Sequence, residues 1–158
     1  SSLTLPEQVQ GVVIGSMGKG LGIPAGVIAG NKYWIDKIWN SPHFGGASPA
    51  SPAYLDTWIQ MQDHYTTLRT VLLQNLTQFE NLIGTDNQVL RSVTGYPVHF
   101  STKKTLSNHL LLHQMYVSHF PYPTSLDEPI TRIVLSALHL PEDIQRLATA
   151  ILSYDPTL

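Results

Sequence analysis

Gly15-Ser16-Met17-Gly18-Lys19-Gly20-Leu21-Gly22-Ile23-Pro24-Ala25-Gly26 sets one lysine inside a glycine-rich loop between two apolar runs. The runs, Val9 to Ile14 and Gly26 to Ala29, are short and rich in β-branched or small residues, which predicts two strands flanking the loop. Glycines let backbone N–H groups approach an anion, Ser16 adds a hydroxyl donor and Lys19 an amine. That set suits a phosphate together with an aldehyde. A nucleotide-binding G-x-x-x-x-G-K-[ST] loop is the rival, and Val13 and Gly20 stand where its first Gly and its hydroxyl residue belong. On this reading Lys19 is held between strands, and burial among apolar neighbours favours the neutral, nucleophilic amine.

Beyond the loop, Asn31 to Asn40 reads as a short helix whose Tyr33, Trp34, Ile38 and Trp39 form an apolar cluster. Ser48-Pro49-Ala50-Ser51-Pro52 is a turn, with Ser51 as cap of the next helix and Pro52 in its first turn. The spacing Leu55, Ile59, Leu68, Leu72, Leu76, Phe79, Ile83 predicts one long helix ended by Gly84. The period then shortens. Strands are expected over Asn87 to Val93, Tyr96 to Ser101, Tyr116 to Phe120 and Ile130 to Leu138, and helices over Lys103 to Met115 and Pro141 to Tyr154. In the first of these helices Leu106, Leu110, Leu111 and Met115 share a face, and in the second Ile144, Leu147, Ala148 and Ile151 turn inward. Elements in this order imply an α/β layer with its helices on one sheet face.

The loop resembles the Schiff-base lysine motif of fold type I pyridoxal-phosphate enzymes of the class I/II aminotransferase superfamily. Ser16-Met17-Gly18-Lys19-Gly20-Leu21-Gly22 followed by Ala25-Gly26 is most similar to the α-oxoamine synthase branch, which includes 8-amino-7-oxononanoate synthase and glycine C-acetyltransferase. Thr131-Arg132-Ile133-Val134-Leu135-Ser136-Ala137-Leu138-His139 with Glu142-Asp143-Ile144 resembles their closing strand and last helix, and the likeness keeps its order from about Val9 to Leu152. The resemblance implies an α/β (α+β) chain. Residues 1–50 would be a remnant of the large cofactor-binding domain, 51–84 a long connecting helix, and 85–158 the small C-terminal domain. A complete subunit of this kind is more than twice as long, so the chain reads as a C-terminal part.

The same resemblance gives roles. Lys19 would hold pyridoxal 5'-phosphate and move protons at the substrate Cα, Ser16 would bind the cofactor phosphate, and Arg132 would receive the substrate carboxylate. A salt bridge from Arg132 to Asp127 or Glu128 is the competing account. Where many members carry a Ser-Thr-Ser run reaching the phosphate of the neighbouring subunit, this chain has Gly45-Gly46-Ala47-Ser48. Backbone N–H groups and Ser48 are the candidate substitutes. The family's ring-nitrogen aspartate and stacking aromatic belong upstream of Ser1. Implied partners are an amino acid, an acyl-CoA and a second copy of the chain. An aminotransferase, or a non-enzymatic interaction module built on the same fold, is the alternative.

The 158 residues carry 9 Lys and Arg against 11 Asp and Glu, a balance that favours neither nucleic acid nor a cationic partner. Cysteine is absent, which removes disulfides, thiolate catalysis and cysteine-based zinc sites. No apolar run approaches the ~18 residues of a bilayer span, and the start lacks the basic segment of a signal peptide. A cytoplasmic enzyme is therefore the default expectation. His109 and His113 lie four apart, yet Leu110, Leu111 and Leu112 fill the gap where H-E-x-x-H needs a glutamate, so no metal is expected. His139, at the strand-to-helix junction, is expected to make a structural hydrogen bond.

Overall fold

The computed structural model describes residues 11–155 as two compact units, one ending at Tyr65 and the next beginning at Thr66. In the first, β1 (Val12–Ser16) pairs antiparallel with β2 (Gly26–Gly30), from Val12 opposite Gly30 to Ser16 opposite Gly26. The strand therefore runs two residues further than the apolar run suggests. Val9 and Gln10, its expected start, lie outside the described residues. Asn31 caps α1 (Lys32–Trp39) by accepting the Trp34 N–H at 3.1 Å, and α2 (Pro42–Gly45) comes next with Ser41 as its cap. The expected aromatic cluster separates into two pairs. Tyr33 meets Trp34 edge-on at 5.2 Å, and Trp39 packs instead on Phe44 at 5.0 Å.

The single long helix is interrupted. Pro52–Gln60 forms α3 and Gln62–Ile83 forms α4, with Met61 between them at φ −94°, ψ 14°, outside the helical region. The apolar stripe lapses through Gln60, Gln62, Asp63 and His64, so no packing enforces a straight axis there. The Gln62 side chain donates to the Trp58 carbonyl at 2.7 Å, satisfying an acceptor near the break. Ser51 occupies the cap position of α3 but makes no capping hydrogen bond. Gly84, at φ +73°, ends α4 as expected.

The second unit is a four-stranded antiparallel sheet in the order β3 (Arg91–Ser92), β4 (Val98–Ser101), β6 (Pro129–Val134), β5 (Ser118–Pro121). Its remaining helices are α5 (Leu106–Leu112) and α6 (Pro141–Leu152). The expected strand from Asn87 shrinks to two residues, because the Asn87 carboxamide oxygen accepts the N–H groups of Val89 and Leu90, both at 3.0 Å. Those amides are lost to a ladder. Strand alternation sorts β6: Thr131 and Ile133 are buried with Leu135 beyond them, while Ile130, Arg132 and Val134 take the opposite face.

Phe79, Leu106, Leu110, Ile133, Ile144 and Ile151 are each at most 4% exposed and form the heart of one core. On α6 the residues expected from spacing, Ile144, Leu147, Ala148 and Ile151, are all buried, joined by Ala150, with Asp143 accepting the Leu140 N–H at 3.0 Å at the helix start. On α5 only Leu106 and Leu110 of the expected face are fully buried, and Leu111 is 49% exposed because the helix ends at Leu112, before the next turn can enclose it. Gln114, at φ +62°, redirects the chain toward β5.

His99 is 1% exposed, and among the described residues neither ring nitrogen has a hydrogen-bond partner. It meets Phe79 edge-on at 4.9 Å. Burial lowers its pKa below the ordinary 6.5, with the charge of Glu80 opposing in part. The folded unit thus holds a neutral imidazole that the unfolded chain protonates once pH falls below about 6.5. In that window the unfolded state binds more protons, so stability is full above the unfolded pKa and lost as pH falls toward the folded one. Urea unfolding between pH 7 and pH 5 is expected to show a loss of up to about 1.4 kcal/mol per pH unit from this group. His99→Leu should flatten that slope, and an unchanged slope would assign the dependence to other groups.

Candidate functional site

The lysine loop hangs from the last rung of the β1–β2 pair, where Ser16 faces Gly26. Met17 and Ile23, 5% and 4% exposed, point inward, and backbone hydrogen bonds close the loop, Ile23 N–H to Met17 O at 3.0 Å and Met17 N–H to Ala25 O at 2.9 Å. Gly22 takes φ +66°, a left-handed turn that a side chain would strain. With Met17 and Ile23 inward, Gly18, Lys19 and Gly20 are pushed out. Lys19 is exposed, so the expectation of a buried amine is not met within these residues: the anchors bury themselves and present the lysine.

Ser16, also exposed, is the terminal residue of β1 rather than a loop residue, and it precedes Lys19 by three positions. Among the described residues no side chain hydrogen-bonds to either. A Cβ on Gly20 would meet nothing within 4 Å, so internal packing does not require glycine there. A free amine, a free hydroxyl and an open glycine backbone form a donor set that fits an aldehyde and a phosphate.

One contact to the loop has no signal in the sequence. Tyr65, in the first turn of α4, donates its hydroxyl to the Leu21 carbonyl at 2.9 Å and tethers the loop two residues past Lys19.

Ser48 is exposed in the segment after α2, with no hydrogen bond to the loop among the described residues. The neighbouring amides do not substitute for a Ser-Thr-Ser run. Gly45 N–H is committed to Ser41, Gly46 N–H to Pro42 and Ala47 N–H to Phe44, all within 3.1 Å, closing α2. Ser48 is the group left to serve there.

Arg132 belongs to the other unit, on β6, flanked by Phe100 of β4 and Ser118 of β5. The competing ion pair is absent among the described residues, since Glu128 pairs with Lys104 at 2.9 Å and Asp127 is engaged by Thr124, whose N–H donates to it at 2.8 Å. The guanidinium lies instead over Tyr122, 4.2 Å from the ring centre, and near Phe120 at 5.0 Å. A cleft of about 440 Å³ borders Arg132, with Tyr116, Val117, Leu135, His139 and Arg146 also on its wall.

His109, His113 and His139 have structural partners. His139 Nδ1 accepts the Ser136 N–H at 3.1 Å, and buried Asn75 donates to the carbonyls of both residues. His109 Nε2 contacts the Ala150 carbonyl at 2.9 Å, tying α5 to α6, with the His113 ring centred 4.5 Å away. No helix among the described residues is long and apolar enough to cross a membrane.

No protein-family model matches the sequence, and no curated protein matches it either. Solved structures do. The chain is similar to 8-amino-7-oxononanoate synthase from Francisella tularensis, with 21% identity and a TM-score of 0.62 over 89% of this chain and 44% of that one. It is similar to Sphingomonas wittichii serine palmitoyltransferase, with 19% identity and a TM-score of 0.69 over 90% of this chain and 39% of that one. A high-resolution structure of SPT with PLP as internal aldimine gives 17% identity and a TM-score of 0.62, over 89% and 38%. The chain thus spans about two fifths of the length of the structures it matches. At these identities the likeness speaks for the fold, and the fold is that of the C-terminal part of the fold type I pyridoxal-phosphate enzymes, as found in the α-oxoamine synthases.

Proposed function

We propose that this chain is the C-terminal portion of a pyridoxal-phosphate enzyme that condenses an amino acid with an acyl-CoA. The observation that supports this most is Lys19, presented at an exposed glycine turn between two paired strands, with a free hydroxyl three residues before it, in a chain of this fold. When bound, the cofactor supplies an electron sink for a carbanion at the amino-acid Cα. Lys19 Nζ would hold the cofactor through its aldehyde carbon and would carry a proton to or from the substrate Cα. Ser16 Oγ donates to the phosphate, and Ser48 is a second donor to it across a homodimer interface. Val13, Ile14 and Trp39, at 40%, 73% and 66% exposure, are apolar surface available for such an assembly. Arg132 offers a planar fork to the substrate carboxylate. In the net reaction the Cα gains a bond to the acyl carbon while coenzyme A and CO2 leave.

Among these 158 residues the resemblance assigns neither the ring-nitrogen partner nor the stacking aromatic, so this stretch alone is expected to be silent. The test uses the protein together with its upstream reading frame. Pyridoxal phosphate followed by borohydride should label the Lys19 peptide stoichiometrically, and CO2 should be released from an amino acid only when acyl-CoA is added. Amine transfer to a 2-oxo acid without CO2 release would assign an aminotransferase. Absence of labelling would end the enzyme reading.

Arg132→Lys in that protein should weaken amino-acid binding about ten- to a hundredfold, the scale of one charge-assisted bidentate contact, at roughly 1.5–3 kcal/mol. Cofactor absorbance should persist, because the covalent attachment belongs to Lys19. A variant that loses thermal stability with substrate affinity intact would return Arg132 to a structural role.

A further inference from the structure

We propose that Tyr122, assisted by Phe120, is a positioning residue that holds the Arg132 guanidinium with its hydrogen-bonding edge free for a carboxylate. The inference rests on the reading of Arg132 as a carboxylate receptor and adds the residues that orient it. A guanidinium has two chemically distinct surfaces. Its faces are weakly hydrated and stack on aromatic rings, while all five N–H donors lie in its plane. Contacts at 4.2 Å to the Tyr122 centroid and 5.0 Å to that of Phe120 fall within cation–π range, and such contacts consume the faces rather than the donors.

The carboxylates that would otherwise claim those donors are engaged, Glu128 by Lys104, Asp127 by Thr124, and Asp143, on the wall of the same cleft, by the Leu140 N–H. The backbone that carries the two rings is held on both sides. Phe120 sits opposite Ile130 in the β5–β6 ladder, Pro121 opposite Pro129, and Tyr122 leads into a turn that Asp127 closes by accepting from Thr124. An arginine with two aromatic rings against its guanidinium, no donor claimed among the described residues and a cleft alongside is arranged to hold a planar anion in one orientation.

The test uses the 15N-labelled chain and sodium acetate as probe, read at the Arg132 Nε–Hε resonance, with exposed Arg69 and Arg91, neither on the cleft wall, as internal references. In the wild-type chain Arg132 should be more ordered than both references and should shift on addition of acetate. Tyr122→Leu should raise Arg132 mobility to the level of the references and weaken acetate binding about two- to fivefold, the scale of an exposed cation–π contact. Tyr122→Phe, which keeps the ring, should restore both. Equal mobility of the three arginines in the wild-type chain would overturn the positioning role and leave the carboxylate reading standing. An ordered Arg132 that ignores acetate would instead overturn the carboxylate reading, and the positioning role with it. A Tyr122→Leu chain with a lower melting temperature but unchanged acetate affinity would leave Tyr122 purely structural and overturn the proposal.

Discussion

Phe79→Ala is expected to destabilise the second unit by about 3–5 kcal/mol, the usual cost of deleting a fully enclosed aromatic. Phe79 is 0% exposed on α4 and belongs to the core shared by α5, α6 and the sheet. A domain of this size commonly holds only about 5–15 kcal/mol in total, so the variant should lose a large share of its folded population at moderate urea. Its edge-on neighbour makes the site informative. Among the described residues His99 has no partner for either nitrogen, and a cavity beside it admits water that can hydrogen-bond the ring. Hydration offsets part of the loss, which sets the low end of the range, and lets the imidazole accept a proton nearer its ordinary pKa. Phe79→Ala should therefore also reduce the pH dependence of stability below pH 6.5, an effect that lost packing alone does not produce. Urea titrations at pH 7 and pH 5 measure both quantities, and a loss under about 1 kcal/mol at pH 7 would mean that Phe79 does not anchor this core.

What was legible in the sequence is what local chemistry controls. The inward face of α6 is read from spacing alone, because a twelve-residue amphipathic helix has one way to bury Ile144, Leu147 and Ile151. Gly84 marks the end of α4 by its own backbone preference, as expected from the sequence, whereas the expected cap Ser51 makes no capping hydrogen bond. Where local signals compete, the pattern misleads. Val89 and Leu90 look like strand residues, yet a neighbouring carboxamide claims their N–H groups first. The α3–α4 break is a lapse of the apolar stripe that a list of hydrophobic positions bridges without notice.

At the candidate site the divide is the same. Lys19 and Ser16 stand out because glycine spacing is a local property, but whether the amine is covered depends on what packs over it, and within these residues Met17 and Ile23 cover themselves. Arg132 stands out as a cation in an apolar strand. Its true neighbours, Tyr122 and Phe120, come from strand pairing, which the spacing of charges along the chain does not encode. The carboxylates nearest in sequence, Asp127 and Glu128, proved to serve a turn and a lysine.

Lys19→Ala, made in the protein with its upstream part, is expected to abolish borohydride-dependent labelling and to lower turnover on the order of 10⁴-fold or more, the scale at which removing a covalent catalyst acts. The same change should leave folding almost untouched. Lys19 is exposed, and no side chain among the described residues hydrogen-bonds to it, so its removal sacrifices no packing and leaves no orphaned charge. The loop is held by Met17, Ile23 and the Tyr65 tether rather than by the lysine. Stability should shift by less than about 0.5 kcal/mol, which separates a catalytic loss from an unfolded protein. Lys19→Arg sharpens the comparison. It keeps the positive charge and most of the reach, but a guanidinium stays protonated and cannot serve as a neutral amine, so labelling and turnover should fail as they do in Lys19→Ala. If Lys19→Arg retained activity, Lys19 would be acting only as a charge near an anion. If Lys19→Ala retained labelling, trapping would move to another lysine, with exposed Lys32 and Lys37 the first to examine by peptide mapping, and the role assigned to the glycine loop would fall.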